Sequence, residues 1–303
     1  MRNLAQRQSG RKQKRQLDLF TIVIYIIVTL GALLILVPFY NVVIVSISPM
    51  VEYTRTPFLL FPEHPTLQSY VDLLSGGSIG VGYRTTLSIV ALALPINLFL
   101  ITLTAYALSK DAFPGKKLFI MYVLITMLFN GGIVPLYLVI KELNLMNTLW
   151  SVVLASGCNT FYLIITRNYF LSIPAALRES ARIDGASEFT IFLRIILPLS
   201  LPILATIALF CLVDRWNEWY NPMLFLRRND MKPLQIVLRN IIMQAQITTS
   251  GSGSGAADLA QALKPVKGMK MAAIILTMLP VMCVYPFLQK YFVKGMLIGA
   301  IKA

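Results

Sequence analysis

Six stretches of the chain are apolar over lengths that match a helix crossing about 30 Å of hydrocarbon. They are Leu19–Ile47, Thr85–Ser109, Leu118–Ile140, Leu149–Thr166, Leu199–Val213 with an extension to Tyr220, and Met271–Gln289. The fourth is short and carries Asn159 and Thr160, and the fifth is interrupted at its end by Asp214, Arg215 and Glu218. The pattern predicts an all-α membrane protein of six transmembrane helices. Two polar segments between them are long. Ser48–Arg84 is rich in Pro, Gly and Ser, with Pro49, Pro57, Pro62 and Pro65 marking turns and extended chain. Leu224–Lys270 holds an amphipathic stretch at Pro233–Gln246, followed by Gly251-Ser252-Gly253-Ser254-Gly255, which reads as a flexible hinge.

Composition agrees with lipid as the main solvent. The 303 residues are 57% hydrophobic and only 13% charged, against about 25% charged in ordinary globular chains. The net charge of +14 changes the picture through its placement. Arg2, Arg7, Arg11, Lys12, Lys14 and Arg15 precede the first apolar run, which is too long for a signal peptide and ends in no small-residue cleavage site. An uncleaved first helix with a cytoplasmic N-terminus follows, and six crossings return the C-terminus to the cytoplasm. Segments 1–18, 109–117, 167–198 and 290–303 are then cytoplasmic and hold sixteen of the 27 Lys and Arg, as the positive-inside rule requires. The basic excess is thus a topology signal, and no nucleic-acid partner is expected. The chain divides into a basic tail (1–18), a transmembrane domain (19–303), a cytoplasmic segment within it (175–198) and an outer loop (224–270).

Several chemistries are excluded. Cys158, Cys211 and Cys283 are odd in number, far apart and embedded in apolar runs. They read as small buried hydrophobes, with neither a disulfide framework nor a Cys-based zinc site. His64 is the single histidine, so paired-histidine metal sites are ruled out. Gly76-Gly77-Ser78-Ile79-Gly80 spells G-x-S-x-G, but the hydrolase elbow needs a strand before it and a helix after it, and here a turn-rich loop surrounds it. Gly115-Lys116 has no glycine five residues upstream, so there is no Walker A phosphate loop. Catalysis by this chain, ATP hydrolysis included, is not expected.

The informative segment is cytoplasmic: Glu179-Ser180-Ala181-Arg182-Ile183-Asp184-Gly185, nine further residues, then Ile195-Ile196-Leu197-Pro198. Pro174 starts a helix over Ala175–Asp184, with Glu179 and Arg182 spaced i, i+3. Gly185 permits a positive-φ turn, and Ala186–Ile196 resume a helix before Pro198 opens the next span. Ile191, Phe192, Ile195 and Ile196 form one apolar face. Two readings fit this helix–turn–helix at the membrane surface: a docking site for a partner, or an interfacial connector.

This segment resembles the EAA motif of ABC importer permeases, E-A-A-x3-G-x9-I-x-L-P. Glu179, Ala181, Gly185, Ile195, Leu197 and Pro198 match it, with Ser180 in place of an alanine. Ile183-Asp184-Gly185-Ala186 is similar to the sugar-importing branch. Trp216-Asn217-Glu218-Trp219-Tyr220-Asn221-Pro222 resembles the stretch that ends the fifth span of carbohydrate permeases. Gln289–Gly295 and Gly299–Ala303 resemble the family's C-terminal end, and Phe129-Asn130-Gly131-Gly132-Ile133-Val134-Pro135 resembles the complex-oligosaccharide group. The resemblance runs from Leu19 to Ala303 and extends to the smaller maltose-type permease.

The resemblance implies a bacterial cytoplasmic-membrane permease subunit for oligosaccharide uptake. It implies half of a pore, paired with a second permease, two ATPase subunits that hold ATP and Mg, and an extracytoplasmic solute-binding protein. This chain itself binds no cofactor. Glu179, Ser180, Ala181, Asp184, Gly185, Ala186, Leu197 and Pro198 become the ATPase-coupling residues, and the outer loop with its Gly-Ser hinge would reach the binding protein. Trp216, Asn217, Glu218, Trp219, Tyr220 and Asn221 are candidates for the substrate path, or members of an aromatic belt at the interface. Asn41, Asn97 and Asn159 either touch sugar or bond neighbouring helices. Two alternatives stay open: a structural or signalling membrane protein without an ATPase, and a permease for a non-sugar solute.

Overall fold

A computed structural model describes residues 19–56, 59–110, 113–250 and 267–286, with the backbone alone for 244–250. The basic tail, the Gly-Ser hinge and the C-terminal stretch from Gln289 lie outside the described residues. Every regular element among those described is helical. In chain order they are α1 (Leu19–Ser46), α2 (Met50–Arg55), α3 (Gln68–Ser75), α4 (Ser78–Ser109), α5 (Lys116–Leu128), α6 (Ile133–Glu142), α7 (Leu149–Ala155), α8 (Thr160–Ser172) and α9 (Ala175–Ile183). There follow α10 (Glu188–Leu199), α11 (Leu201–Asn217), α12 (Tyr220–Phe225), α13 (Leu234–Ser250) and α14 (Lys267–Pro286).

Among the described residues, α1, α4 and α14 alone are long and apolar enough to cross a bilayer singly; the other candidates are bent pairs, which bring the total to as many as six if each pair is one span. The expected continuous third span is corrected. It is α5 and α6, bent by 112°, and the 13 residues of α5 rise about 20 Å. Gly132 has φ +88, a value that side chains with a Cβ rarely adopt, and Asn130 Oδ1 accepts from the Gly132 amide at 2.9 Å. The fourth span breaks by 53° between α7 and α8 and reaches Ser172 rather than Thr166. At the fifth, Pro198 does not open the span. It lies in the last turn of α10, and α11 begins at Leu201 after an 80° bend at Ser200. Pro202 explains the break, because it offers no N–H to the carbonyl of Pro198 and its ring would clash there.

The long α4 is the hub, packed against α7, α8, α11 and α13. It starts at Ser78 rather than Thr85, and its 32 residues rise about 48 Å, so it projects beyond the hydrocarbon. Much of Ser48–Arg84 is therefore helical (α2, α3 and the start of α4) rather than extended. The projecting end carries α13, the amphipathic helix expected in the outer loop. Leu234, Ile236 and Val237 are buried, and Leu234 joins Leu73, Ile79, Trp216, Ala272 and Ala273 in one cluster. The Leu234 amide, an orphan donor at the helix start, is accepted by Thr86 Oγ1 at 2.9 Å.

By contrast, Leu19–Val37 of α1 and the whole of α5 bury no side chain against the protein. The cysteines divide. Cys211 is buried, but Cys158 and Cys283 are exposed, which corrects the expectation of burial. In lipid an apolar residue need not face protein.

The α4–α13 crossing depends on Gly82, where an added Cβ would lie 3.0 Å from Leu234 Cα. Gly82→Leu should push α13 off the hub at a cost of about 1–3 kcal/mol. A lower melting temperature of the detergent-solubilised protein and faster proteolysis within 234–250 are the expected results, with Gly82→Ala affected less.

Candidate functional site

Two places concentrate chemistry. The first is the 175–198 segment. Pro174 is the N-cap of α9, and the helix stops in a Schellman turn. The Gly185 amide bonds Arg182 O at 3.0 Å and the Ala186 amide bonds Ala181 O at 2.9 Å, with Gly185 at φ +80. The expected turn glycine is therefore where the chain reverses. Ser187 then caps α10, its Oγ accepting from the Thr190 amide at 3.2 Å. Residues Phe192–Ile196 are wound as a π-helix, a local over-widening common at functional sites.

The apolar face expected at Ile191, Phe192, Ile195 and Ile196 exists. The first two and Ile196 are buried with Ala105 and Tyr106 of α4 and Phe170 and Ile173 of α8 and its C-cap. Ala181 and Ala186 pack against this cluster, while Glu179, Ser180, Asp184, Gly185 and Pro198 are exposed and Leu197 is half-buried. Ile183 (86% exposed) and Phe189 (65%) present apolar side chains away from the cluster, an exposure the sequence pattern did not reveal.

The expected Glu179–Arg182 pair does not form among the described residues. Arg182 turns to Glu188, its Nη2 2.7 Å and its Nε 3.0 Å from Oε1. The other carboxylate oxygen takes Lys110 Nζ at 2.7 Å and the Tyr106 hydroxyl at 3.0 Å. The Lys110 hydrogen bond, then those from Tyr106 and Arg182, hold the Glu188 carboxyl well below the ordinary 4.5, at about 2, against the opposing effect of burial. A depressed carboxylate contributes its stabilisation in full above about 4.5 and loses it as pH falls towards about 2. The cluster is therefore unchanged across cellular pH.

The second place is where two breaks face each other. The chain between α7 and α8 leaves the carbonyls of Ser156 and Gly157 without helical donors. Asn97 of α4 donates its Nδ2 to both, at 3.1 and 2.5 Å. Asn159 caps α8, its Oδ1 accepting from the Phe161 and Tyr162 amides at 2.9 and 3.4 Å. Both asparagines thus bond helices. Opposite lies the break between α11 and α12. Glu218 pairs with Arg215 and accepts from Asn221 Nδ2, and Ser156 Oγ lies 2.9 Å from Asn221 Nδ2 and 3.3 Å from Glu218. The Arg215 and Glu218 side chains are only 10% and 11% exposed. The Asp214 carboxylate accepts from the Tyr162 hydroxyl at 2.8 Å.

The aromatic residues beside this network separate. Trp216 is 5% exposed, donates its Nε1 to Thr277 O at 3.1 Å and meets the Tyr83 ring edge-on. It is part of the packing between α4, α11 and α14. Trp219 and Tyr220 are exposed and edge-to-face at 5.6 Å, with the Arg239 guanidinium 4.0 Å from the centre of the Trp219 ring. Asn217 is exposed and accepts from Gln235 Nε2 at 3.1 Å.

The described residues combine apolar candidate spans, a glycine-turned surface segment and polar helix breaks, and the sequence matches over residues 82–298 the profile of binding-protein-dependent transport system inner membrane components. The chain belongs to that family: it is an inner-membrane permease subunit of an ABC importer, a transporter part and not an enzyme. It is similar to the protein LplC of Bacillus subtilis (strain 168), 38% identical with 90% of each chain covered. It is also similar to the polygalacturonan/rhamnogalacturonan transport system permease protein YtcP of the same bacterium, 37% identical over 94% of this chain and 98% of the relative. Among solved structures it resembles a bacterial ABC transporter involved in the import of the acidic polysaccharide alginate. The TM-score is 0.82 at 32% identity, covering 92% of this chain and 98% of the other.

The paired breaks yield a prediction. Glu218→Ala strands a largely buried guanidinium and should cost about 3–5 kcal/mol. Replacing Arg215 and Glu218 together by Met should cost less. Thermal melts of the two purified variants in one detergent check the order.

Proposed function

We propose that this chain forms half of the translocation pore of an importer for acidic oligosaccharides. In this reading it crosses the membrane six times with both termini cytoplasmic, α5–α6 and α7–α8 each count as one crossing or its equivalent, and α11 crosses after the cytoplasmic α10. It pairs with a second permease, two ATPase subunits and an extracytoplasmic binding protein. The observation that carries the coupling role is the Schellman turn at Gly185. It stands α9 and α10 against each other and leaves Glu179, Asp184, Ile183 and Phe189 facing outward for an ATPase cleft.

The substrate class is supported from two sides. The relative YtcP is named for polygalacturonan and rhamnogalacturonan, and the alginate importer for an acidic polysaccharide. In this chain, Trp219 and Tyr220 present exposed rings suited to the apolar faces of pyranoses. Arg239 adds positive charge against the Trp219 ring. Trp216 drops out of the substrate path as a packing residue, and Glu218 and Asn221 belong to it only if their network opens.

The docking test is Gly185→Val. Valine at φ +80 meets no neighbour, so its cost is torsional, about 1–3 kcal/mol, and should reduce the ATPase that co-purifies with the complex. Gly185→Asn, a residue that tolerates this conformation, should retain it. Normal ATPase content and transport in the valine variant would refute the docking role.

The substrate test uses cells carrying the intact importer and labelled galacturonate oligomers, with neutral oligosaccharides and free monosaccharides as competitors. Uptake of the acidic oligomers, weakened at limiting concentration by Trp219→Ala, is expected. Import of monosaccharides alone would reject the substrate reading.

A further inference from the structure

Glu188 is the first residue of α10 and is exposed on the cytoplasmic segment, where an acidic residue would ordinarily serve only the helix dipole. Its carboxylate instead joins three elements. Oε1 takes the two Arg182 donors from the last turn of α9, and Oε2 takes Lys110 and Tyr106 from the cytoplasmic end of α4. The receiving end of α4 is itself held. The Lys110 ammonium lies 4.6 Å from the Tyr106 ring centre, and that ring packs on Phe192 at 4.9 Å and on Phe170 at 6.4 Å. From α8, Arg167 Nε donates to Leu108 O at 3.0 Å.

The apolar cluster beneath these contacts is closely packed but non-directional. Charge-assisted hydrogen bonds to one carboxylate fix a geometry. Among the described residues, Glu188 is the one ionic connection between the coupling turn and α4. Beyond its turn to α9, α10 is continued by the peptide chain only into α11, so without Glu188 a force applied at α9 reaches the hub chiefly through the apolar cluster.

We propose that Glu188 is a positioning residue that locks α9, α10 and the cytoplasmic end of α4 into one lever, so that motion imposed on the coupling segment moves the hub helix and not α11 alone. The inference rests on the reading of 175–198 as the ATPase-docking segment.

The test uses the complete importer in proteoliposomes, with ATP hydrolysed and oligosaccharide imported measured together. Glu188→Gln keeps the shape and removes the charge. It should leave the ATPase bound and hydrolysing while ATP consumed per sugar imported rises roughly fivefold or more, in the range of ordinary coupling energies. Lys110→Met with Tyr106→Phe cuts only the α4 side and leaves Arg182 on Glu188, so it stays informative if Glu188→Gln fails to assemble. It should raise the same ratio, and adding it to Glu188→Gln should raise the ratio no further. A wild-type ratio in Lys110→Met/Tyr106→Phe overturns the proposal, as does an additive effect. Cross-linking of the ATPase to Ile183→Cys separates the two readings. If no cross-link forms in otherwise unaltered importer, the docking reading fails. If it forms and the ratio stays at the wild-type value, the lever fails.

Discussion

Inside hydrocarbon a helix cannot simply stop, because the peptide groups it abandons find no water and each costs several kcal/mol if left bare. This chain stops its helices repeatedly within apolar sequence, and much of its architecture is the set of side chains that answer for those stops. Asn97 spans from α4 to the two carbonyls released between α7 and α8, Asn159 takes the amides that open α8, and Asn221 and Glu218 close the neighbouring break against Ser156. Where a break lies at the surface the answer is local: the Schellman turn at Gly185 and the Ser187 cap need only their own segment.

Those same side chains explain why α4 is central. An unbroken helix can supply partners to several broken ones at fixed heights. Its N-terminal part gives Thr86 to the start of α13, its middle gives Asn97 to the α7–α8 break, and its C-terminal end gives Tyr106 and Lys110 to Glu188. Elements that look independent in sequence are therefore bonded to one continuous helix, from the 175–198 segment at one end to the start of α13 at the other.

The sequence shows the apolar runs because mean hydropathy is a sum, and sums survive a bend. It hides the bends because they need few residues. Asn130-Gly131-Gly132 could be read as a loop only by ignoring the apolar residues on both sides, and Pro202 breaks a helix that Pro198 alone appeared to open. The turn at Gly185 was legible, since glycine between two amphipathic stretches permits a positive-φ turn, and so was α13 from its amphipathic pattern. Trp216 and Trp219 were not separable from sequence. Three residues apart on a helix that ends between them, one ring turns into the α4–α14 packing and the other into the open. Glu188 escaped notice because its partners, Tyr106 and Lys110, are some eighty residues away and a lone acid in a charged loop ordinarily means solvent.

The network at the facing breaks also constrains how such a pore can open. Arg215 and Glu218 are paired at low exposure, and Arg215 Nε and Asn97 Oδ1 are buried without partners. Pulling α12 from α7 would take Ser156 away from both Glu218 and Asn221 and uncover the Arg215–Glu218 pair in a poorly hydrated space, a cost that no apolar contact offsets. An opened state must therefore bring replacement donors and acceptors to these atoms, either water or the hydroxyl groups of a passing solute. Hydroxyl-rich ligands suit that exchange, since they present both donors and acceptors along their length. The polarity of the breaks thus fits the polyhydroxylated cargo of the proposed function independently of the aromatic residues outside them.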